Sequence, residues 1–247
     1  MTAREVSEVS IAGYRRIVIL TGAGISAASG LPTYRGGAGL WDEIDVENHA
    51  TAAAMQADPI RVWKFFAKLR ALVATAKPNP AHFAIATVEA RLTNTQSLTV
   101  ITQNVDGLHT AAGSRQVVEL HGTLRRSRCT RCDYSCAEDL ETSRSDCPPC
   151  PNCASEMRPD VLLFDEPLSV DAEWASKKAL RDCDLFIAVG TSGTVSPASN
   201  FARSAEYAGA RTVYVNLEPM RPANPAFRET YLGRAEQVLP QLLGGAA

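Results

Sequence analysis

The sequence predicts an α/β fold, in which a mostly parallel sheet is flanked by helices and a smaller second domain is inserted. Three observations support this prediction. Short apolar runs alternate with helical patterns, one of these runs ends in a glycine-rich turn, and six of the seven cysteines lie within residues 129–153. Alternating strands and helices are typical of parallel sheets, whereas paired cysteines indicate a separate metal-stabilised module.

Hydrophobic periodicity predicts the individual elements. Apolar runs predict strands at residues 17–20, 98–102, 117–120, 185–189 and 211–216. Helical patterns predict helices over residues 5–15, 59–76, 81–92, 170–181, 199–208 and 235–243. The segment 59–76 is the clearest helix, because its apolar side chains recur at helical spacing and Pro59 suits a first turn.

Two segments fall outside the alternating pattern and predict the second domain. Residues 36–80 look helical, and residues 122–158 are rich in cysteine, proline and charge. We expect these two insertions to pack together as a small domain within a single core spanning residues 1–247. The large domain is then formed by residues 1–35, 81–121 and 159–247.

Composition limits the classes of function that the sequence supports. The 247 residues are 45% apolar and carry a net charge of −2, which gives no argument for nucleic-acid binding. No stretch approaches the roughly 20 apolar residues of a membrane helix, and the N-terminus lacks the apolar segment of a signal peptide. We therefore expect a cytoplasmic protein without membrane association.

The cysteine cluster predicts a structural zinc site. Cys129 and Cys132 form one Cys-x-x-Cys pair, and the segment 147–153 offers two overlapping candidates for the second. Two such pairs hold one tetrahedral ion through four thiolates and leave no open position for catalysis. We choose Cys150 and Cys153, because the intervening Pro-Asn suits a tight turn. A redox dithiol is the alternative interpretation.

The first apolar run ends in a turn that suits a phosphate. Gly22, Gly24 and Ala27 match the spacing Gly-x-Gly-x-x-Gly/Ala of dinucleotide-binding sites. The glycines allow a pyrophosphate to approach the backbone, and a following helix presents N–H groups to the anion. The turn favours a Rossmann-like sheet, and a plain structural turn is the alternative. The ribose-binding acid that ordinarily ends the second strand of such sites is absent.

Polar or small residues lie at or just after the ends of four further predicted strands. They are Gln103, Asn104, Asp106, His121, Gly190, Thr191, Ser192 and Asn216. Carboxyl ends of parallel strands meet at one edge of a sheet, where ligands bind. His121 is a candidate general base, because histidine titrates near neutral pH. Helix capping by Asn104 and Asp106, and a structural role for His121, are the alternatives.

Together these motifs resemble the sirtuin family of NAD-dependent protein-lysine deacylases. The resemblance is carried by GAGISAASGLPTYRG, TQNVDGLH, ELHG, the two cysteine pairs, RPDVLLFDE, VGTSGTVSP and VNLEP, in the family's order. It implies that NAD is cleaved at its nicotinamide–ribose bond and that the acyl-lysine oxygen captures the ribose carbon. A histidine then acts as general base on a ribose hydroxyl. The products are nicotinamide, lysine and O-acyl-ADP-ribose.

The resemblance also implies residue roles. The catalytic residues would be His121, Asn104 and Asp106. NAD would be bound by Gly22, Ala23, Gly24, Ser26, Tyr34, Arg35, Gln103, Asn104, Asp106, Gly190, Thr191, Ser192, Asn216 and Ala235. Acyl-lysine would be bound by Phe66, Leu69, Val161, Phe164 and Val195. One zinc ion would be held by Cys129, Cys132, Cys150 and Cys153. The implied partners are acylated-lysine proteins or peptides, and we expect a monomer.

Departures from the family pattern bear on the substrate. Tyr34 replaces a usual Phe, and Asp165 replaces a usual Gly. One family branch uses a Tyr and an Arg to grip acidic acyl groups, and here those positions are Phe66 and Leu69. A buried succinyl carboxylate would then lack a partner, so we predict preferential deacetylation. Arg70 is one residue on and is expected to point about 100° away on the helix.

Three alternative functions remain open. Desuccinylation or demalonylation would use the same site with an acidic acyl group. Mono-ADP-ribosyl transfer would use the same NAD cleavage with a protein acceptor. A non-catalytic NAD sensor is disfavoured, because His121, Asn104 and Asp106 are all present.

Overall fold

The computed structural model describes residues 7–33, 46–137, 147–193 and 196–244. The strands are β1 Arg16–Thr21, β2 Ser97–Thr102, β3 Val117–Glu119, β4 Gly122–Cys129, β5 Ser135–Ala137, β6 Met157–Val161, β7 Leu185–Val189, β8 Arg211–Asn216 and β9 Glu229–Leu232. The α-helices are α1 Val46–His49, α2 Ala52–Ala57, α3 Pro59–Thr75, α4 Pro80–Arg91, α5 Leu108–Ala111, α6 Val170–Arg181, α7 Phe201–Tyr207 and α8 Ala235–Leu242. Short 3-10 helices span Ile11–Gly13, Ala23–Ser29 and Ala198–Asn200.

A six-stranded parallel sheet forms the centre of the molecule, as the sequence predicts. Its strand order is β3-β2-β1-β7-β8-β9, and every neighbouring pair is parallel. The chain runs outward from β1 to β3, returns beside β1 as β7, and then runs outward in the opposite direction. The sheet therefore has its topological switch point between β1 and β7, where ligands bind in folds of this class.

Helices cover both faces of the parallel sheet. Ile17 and Ile19 of β1 pack with side chains of α4 and α8. Val18 and Leu20 of the same strand pack with α6 and α7 on the opposite face. Successive side chains of a strand point to opposite faces, so a strand buried on both faces is a continuous apolar run. This burial explains why β1 is recognisable from the sequence.

A smaller antiparallel sheet has the order β5-β4-β6. Helix α3 packs against it, and its Phe66 and Leu69 share an apolar cluster with Leu124 and Val161. The helix begins where the Asp58 carboxylate accepts the Arg61 N–H at 2.9 Å. The contact between α3 and this sheet supports the two-domain division, whose boundaries stay a proposal.

The N-terminal helix prediction, residues 5–15, is wrong over its described part. Residues 7–10 are irregular, and only the 3-10 turn Ile11–Gly13 precedes β1. Val9 is buried and its N–H donates to the Leu242 oxygen at 2.7 Å, so tertiary docking onto α8 replaces helical hydrogen bonds. The strands β4, β5, β6 and β9 escape prediction, because none of them is a continuous apolar run. Among the described helices, none has the length and apolar character needed to cross a bilayer.

Candidate active site

The ends of β1 and β7 meet at the switch point with almost no space between them. A Cβ atom at Gly22 would lie 2.7 Å from the Gly190 oxygen, and one at Gly24 would lie 2.7 Å from the Gly190 Cα. Glycine is thus required at both positions of the predicted phosphate turn, because a side chain there would collide with the backbone of Gly190. The turn continues as the 3-10 helix Ala23–Ser29, which ends at Gly30 with φ 83°.

Asn104 follows β2 and faces this turn. Its Nδ2 donates to the Gly22 oxygen at 3.1 Å and to the Ser26 Oγ at 3.2 Å. The Asn104 Oδ1 is buried and has no hydrogen-bond partner among the described residues. A buried acceptor without a donor carries a desolvation cost, so the site suits a ligand that supplies a hydroxyl or amide donor. A ribose hydroxyl or the carboxamide of NAD meets this requirement.

The contacts of Asp106 are compatible with both roles that the sequence leaves open, helix capping and ligand binding. Its Oδ1 accepts the Leu108 N–H at 2.9 Å in the first turn of α5, as a capping residue does. Its Oδ2 accepts the Ser26 hydroxyl at 2.8 Å and faces the same cleft as Asn104. Burial raises the pKa of the Asp106 carboxyl, while the bonds from Leu108 and Ser26 oppose that rise.

His121 lies in the turn between β3 and β4. Its Nδ1 is 3.1 Å from the Gln103 carbonyl oxygen. A carbonyl oxygen only accepts, so Nδ1 carries the proton and Nε2 carries the lone pair. Burial lowers the pKa of His121, and the Gln103 carbonyl opposes this shift. The imidazole is thus neutral at neutral pH with its basic nitrogen at Nε2, which suits a general base.

A second group of predicted residues meets at Thr191, which follows β7. The Gln103 Nε2 donates to the Thr191 Oγ1 at 3.0 Å, and the Asn216 Nδ2 donates to the Thr191 oxygen at 3.2 Å. Ser192 is exposed beside them, and Ala235 is buried as the first residue of α8. The predicted site residues Tyr34, Arg35 and Val195 lie outside the described residues.

A cleft of about 420 Å³, partly open to solvent, joins the polar site to helix α3. Its polar end is formed by Ser26, Asn104 and Asp106, beside Ala23. Its other walls are apolar and comprise Leu31, Pro32, Leu69, Leu72, Val73, Val105 and Leu124. The predicted acyl-binding residues therefore differ in position. Leu69 lines the cleft, whereas Phe66 and Val161 are buried members of the same apolar cluster. Phe164 is 46% exposed.

Arg70 points away from the cleft, as expected from its position on the helix. Its Nε donates to the Leu124 oxygen at 2.9 Å, and its Nη2 donates to the Ser127 Oγ at 2.8 Å. The guanidinium also lies 4.9 Å from the Trp63 ring centroid. These contacts tie α3 to the antiparallel sheet.

The predicted zinc ligands form a compact cluster. The Sγ atoms of Cys129, Cys132, Cys150 and Cys153 all lie within 4.8 Å of one another. The Cys129–Cys153 and Cys132–Cys150 sulfur separations are 3.5 and 3.6 Å, close to the roughly 3.8 Å implied by a tetrahedral ion with Zn–S bonds of about 2.3 Å. Cys147 is not part of the cluster, because its thiol donates to the Met157 oxygen at 2.9 Å. The donor set fits one structural zinc ion.

Four buried polar residues around the site have no assigned role in the sequence interpretation: Thr21, His82, Thr102 and His109. The His82 Nε2 lies 3.5 Å from the Ser26 Oγ, and the His109 Nε2 lies 2.9 Å from the Thr21 Oγ1. A sequence signal did exist for the threonines, since β1 and β2 are apolar runs that each end in threonine. The partners of the histidines depend on packing and carry no local signal.

Comparison with known proteins is consistent with this geometry. A model of the Sir2 family matches residues 22–197. The chain is 44% identical to NAD-dependent protein deacylase 2 of Pyrobaculum aerophilum, over 94% of this chain and 92% of the relative. It is 43% identical to NAD-dependent protein deacylase 1 of Pseudomonas aeruginosa, over 94% of this chain and 95% of the relative.

Solved structures show the same fold. A mutant Sir2 homologue in complex with ADP-ribose superposes with a TM-score of 0.86 at 36% identity, covering 95% of this chain and 93% of that one. A Sir2 homologue–NAD complex has a TM-score of 0.85 at 34% identity, covering 98% and 96%. A Sir2 protein bound to a myristoylated histone peptide has a TM-score of 0.74 at 33% identity, covering 95% and 92%.

This chain thus combines the parallel sheet and its glycine turn with the polar strand ends and the four-cysteine cluster, and the two relatives named above align with 94% of its length. The chain belongs to the Sir2 family, a family of NAD-dependent protein deacylases.

Proposed function

We propose that this chain removes acetyl or other neutral acyl groups from lysine side chains of proteins, with NAD as co-substrate. The main observation behind this proposal is the arrangement of polar and apolar residues in one cleft. Its polar end holds Asn104 with an unpartnered Oδ1, and its other walls are apolar. His121 is held beside Asn104, because its Nδ1 donates to the oxygen of Gln103, the residue that precedes Asn104. The lone pair of His121 is therefore on Nε2.

Each part of the site has a chemical task in this proposal. NAD, when bound, supplies the ADP-ribosyl group that accepts the acyl group as nicotinamide leaves. Asn104 accepts a hydrogen bond from ribose, and His121 takes a proton from a ribose hydroxyl at Nε2. The turn at Gly22–Gly24 receives the pyrophosphate, and Ser192 and Asn216 contact the adenosine half. One water molecule is also consumed, and the products are lysine, nicotinamide and O-acyl-ADP-ribose.

The preference for neutral acyl groups follows from the cleft walls. Leu69 lines the cleft, and the family resemblance implies that an acyl carboxylate would need a cation at this position. The adjacent cation, Arg70, donates hydrogen bonds to the Leu124 oxygen and the Ser127 Oγ. A carboxylate buried without a partner costs several kcal/mol, so acidic acyl groups are disfavoured.

The acylated peptide is proposed to enter in an extended conformation beside the loop after β6. The Phe164 N–H donates to the Ala50 oxygen at 2.9 Å, and the Phe164 oxygen accepts the Ala52 N–H at 3.1 Å. The backbone groups of Phe164 are therefore already paired, and those of Leu163 bond to Glu166, so an incoming strand would pair with other backbone groups of this loop. The complex of a related protein with a myristoylated histone peptide supports an acyl-peptide substrate. A monomeric state and a cytoplasmic location stay predictions.

The test is a panel of one peptide carrying acetyl-, butyryl-, succinyl- or malonyl-lysine, incubated with NAD and analysed by mass spectrometry. We expect O-acyl-ADP-ribose from the neutral acyl groups and at least tenfold slower turnover of the acidic ones, since tenfold corresponds to about 1.4 kcal/mol. Equal turnover of succinyl- and acetyl-lysine would contradict the preference. ADP-ribose attached to protein, without O-acyl-ADP-ribose, would indicate mono-ADP-ribosyl transfer instead.

A further inference from the structure

A chain of buried hydrogen bonds runs from His109 to the loop that carries Asn104. The His109 Nε2 lies 2.9 Å from the Thr21 Oγ1. The Thr21 hydroxyl donates to the Thr102 Oγ1 at 2.9 Å. The Thr102 Oγ1 also accepts the Asn104 backbone N–H at 3.1 Å. None of these four residues is more than 4% exposed.

The direction of these bonds assigns the tautomer of His109. The only proton of the Thr21 hydroxyl is given to Thr102, so Thr21 accepts from the His109 Nε2–H. The His109 Nδ1 is then an acceptor without a donor, in agreement with its lack of a partner in the part of the chain that the structure describes. His109 is neutral, because burial lowers its pKa to about 3.

The far end of the chain is a single peptide group. The N–H that bonds to Thr102 belongs to Asn104, and the carbonyl of the same peptide group belongs to Gln103. That carbonyl oxygen accepts the Nδ1–H of His121 at 3.1 Å. Rotation of this peptide plane would therefore break the bond to Thr102 and the bond to His121 together, because an amide is planar.

We propose that His109 is a positioning residue, whose relay fixes the peptide group between Gln103 and Asn104 and thereby orients His121. The relay comprises His109, Thr21, Thr102 and that peptide group. It keeps the proton of His121 on Nδ1 and the lone pair on Nε2, where the ribose hydroxyl is deprotonated. This inference rests on the proposed function, since it gives His121 its task there.

Paired variants separate the relay from packing. His109→Leu and Thr21→Val remove hydrogen-bond donors at similar volume. His109→Gln keeps an N–H near the position of Nε2, and Thr21→Ser keeps the hydroxyl. Ile85→Val serves as the packing control, because Ile85 is a fully buried residue of α4 outside the relay.

Two activities of the same protein report on different steps. Nicotinamide exchange into NAD requires only the cleavage step, whereas lysine formation also requires the general base. We expect His109→Leu and Thr21→Val to form lysine about tenfold more slowly and to lose less than twofold in exchange. The Gln, Ser and Ile85→Val variants should retain the wild-type ratio of the two rates.

A spectroscopic measurement tests the relay without NAD. Long-range ¹H–¹⁵N correlation of the His121 ring should show the Nδ1–H tautomer in the wild type and a mixture of tautomers in His109→Leu. If His109→Leu or Thr21→Val keeps both the wild-type ratio of the two rates and the wild-type tautomer of His121, the proposed relay is overturned. If one variant fails to fold, the other provides the test. Absence of deacylation by the wild type would refute the proposed function alone, because the tautomer measurement remains valid.

Discussion

The Nδ1 of His121 and the carbonyl oxygen of Gln103 lie 3.1 Å apart, and this contact determines which ring nitrogen is basic. Gln103 is also the neighbour of Asn104, whose Oδ1 is the buried acceptor without a partner. One short loop after β2 thus places the amide that we propose binds ribose and aligns the proposed general base.

The acid limb of the pH profile should lie below the ordinary histidine pKa of about 6.5. His121 acts as a base only when neutral, and burial lowers its pKa, so kcat/KM is retained at neutral pH and falls as the pH drops through the lowered value. Measurement of kcat/KM with an acetyl-lysine peptide from pH 5 to 8 checks this. A limb centred above 6.5 would contradict it, and His121→Gln should remove the limb together with most of the activity.

Introducing a cation at the cleft wall should change the acyl preference. In the double variant Phe66→Tyr with Leu69→Arg, the guanidinium would reach the cleft that Leu69 now lines. We expect the succinyl-to-acetyl ratio of kcat/KM to rise at least tenfold, because a charge-assisted bond is worth about 1.5–3 kcal/mol. Leu69→Met is the neutral control and should leave the ratio unchanged. A ratio unaltered by the arginine would show that the acyl group does not reach this wall.

The zinc cluster should be needed for folding of the antiparallel module. Metal analysis of the purified protein should give about one zinc per chain, since the four-thiolate cluster offers one tetrahedral site. Cys150→Ser should lose the metal and lower the melting temperature. Cys147→Ala is the matched control, because its thiol bonds to the Met157 oxygen rather than to the cluster. Zinc retained by the first variant but lost by the control would reverse the assignment.

Asp165 occupies a backbone conformation that favours glycine. Its φ is 71°, and this is the position where the family resemblance implies a glycine. Asp165→Ala should destabilise the protein by about 1 kcal/mol, because a Cβ without a local hydrogen-bonding group is unfavourable in the left-handed region. Asp165→Gly and Asp165→Asn should be close to neutral. Urea unfolding measures the differences, and an Ala variant as stable as wild type would rule out strain at this residue.

Arg70 should act on stability rather than on acyl choice. Arg70→Met removes the donors to the Leu124 and Arg126 oxygens. Leaving buried acceptors unpaired should lower the free energy of unfolding by about 2–4 kcal/mol. Arg61→Met, at an exposed position of the same helix, is the control and should cost under about 0.5 kcal/mol. Loss of acyl selectivity in a stable Arg70→Met protein would contradict this role.

Much of the fold is readable from local patterns. The strands β1, β2, β7 and β8 are predicted within a residue or so, because burial on both faces makes most side chains of each strand apolar. Helix α3 is predicted because its apolar stripe, its capping Asp58 and its Pro59 agree. Segment 7–15 is not α-helical, because docking of Val9 onto α8 depends on residues more than 200 positions away.

Motif spacing and the alternation of apolar runs with helical patterns predict the family, the parallel sheet, the zinc ligands and the residue types at the strand ends. Which of these residues touch depends on the packing of the whole chain. Packing places Leu69 in the cleft lining and Phe66 in the buried cluster, and it turns Arg70 towards Leu124. It also links His109 to His121 through a peptide group. These relationships join distant segments whose proximity depends on how the whole chain packs, and no local pattern encodes them.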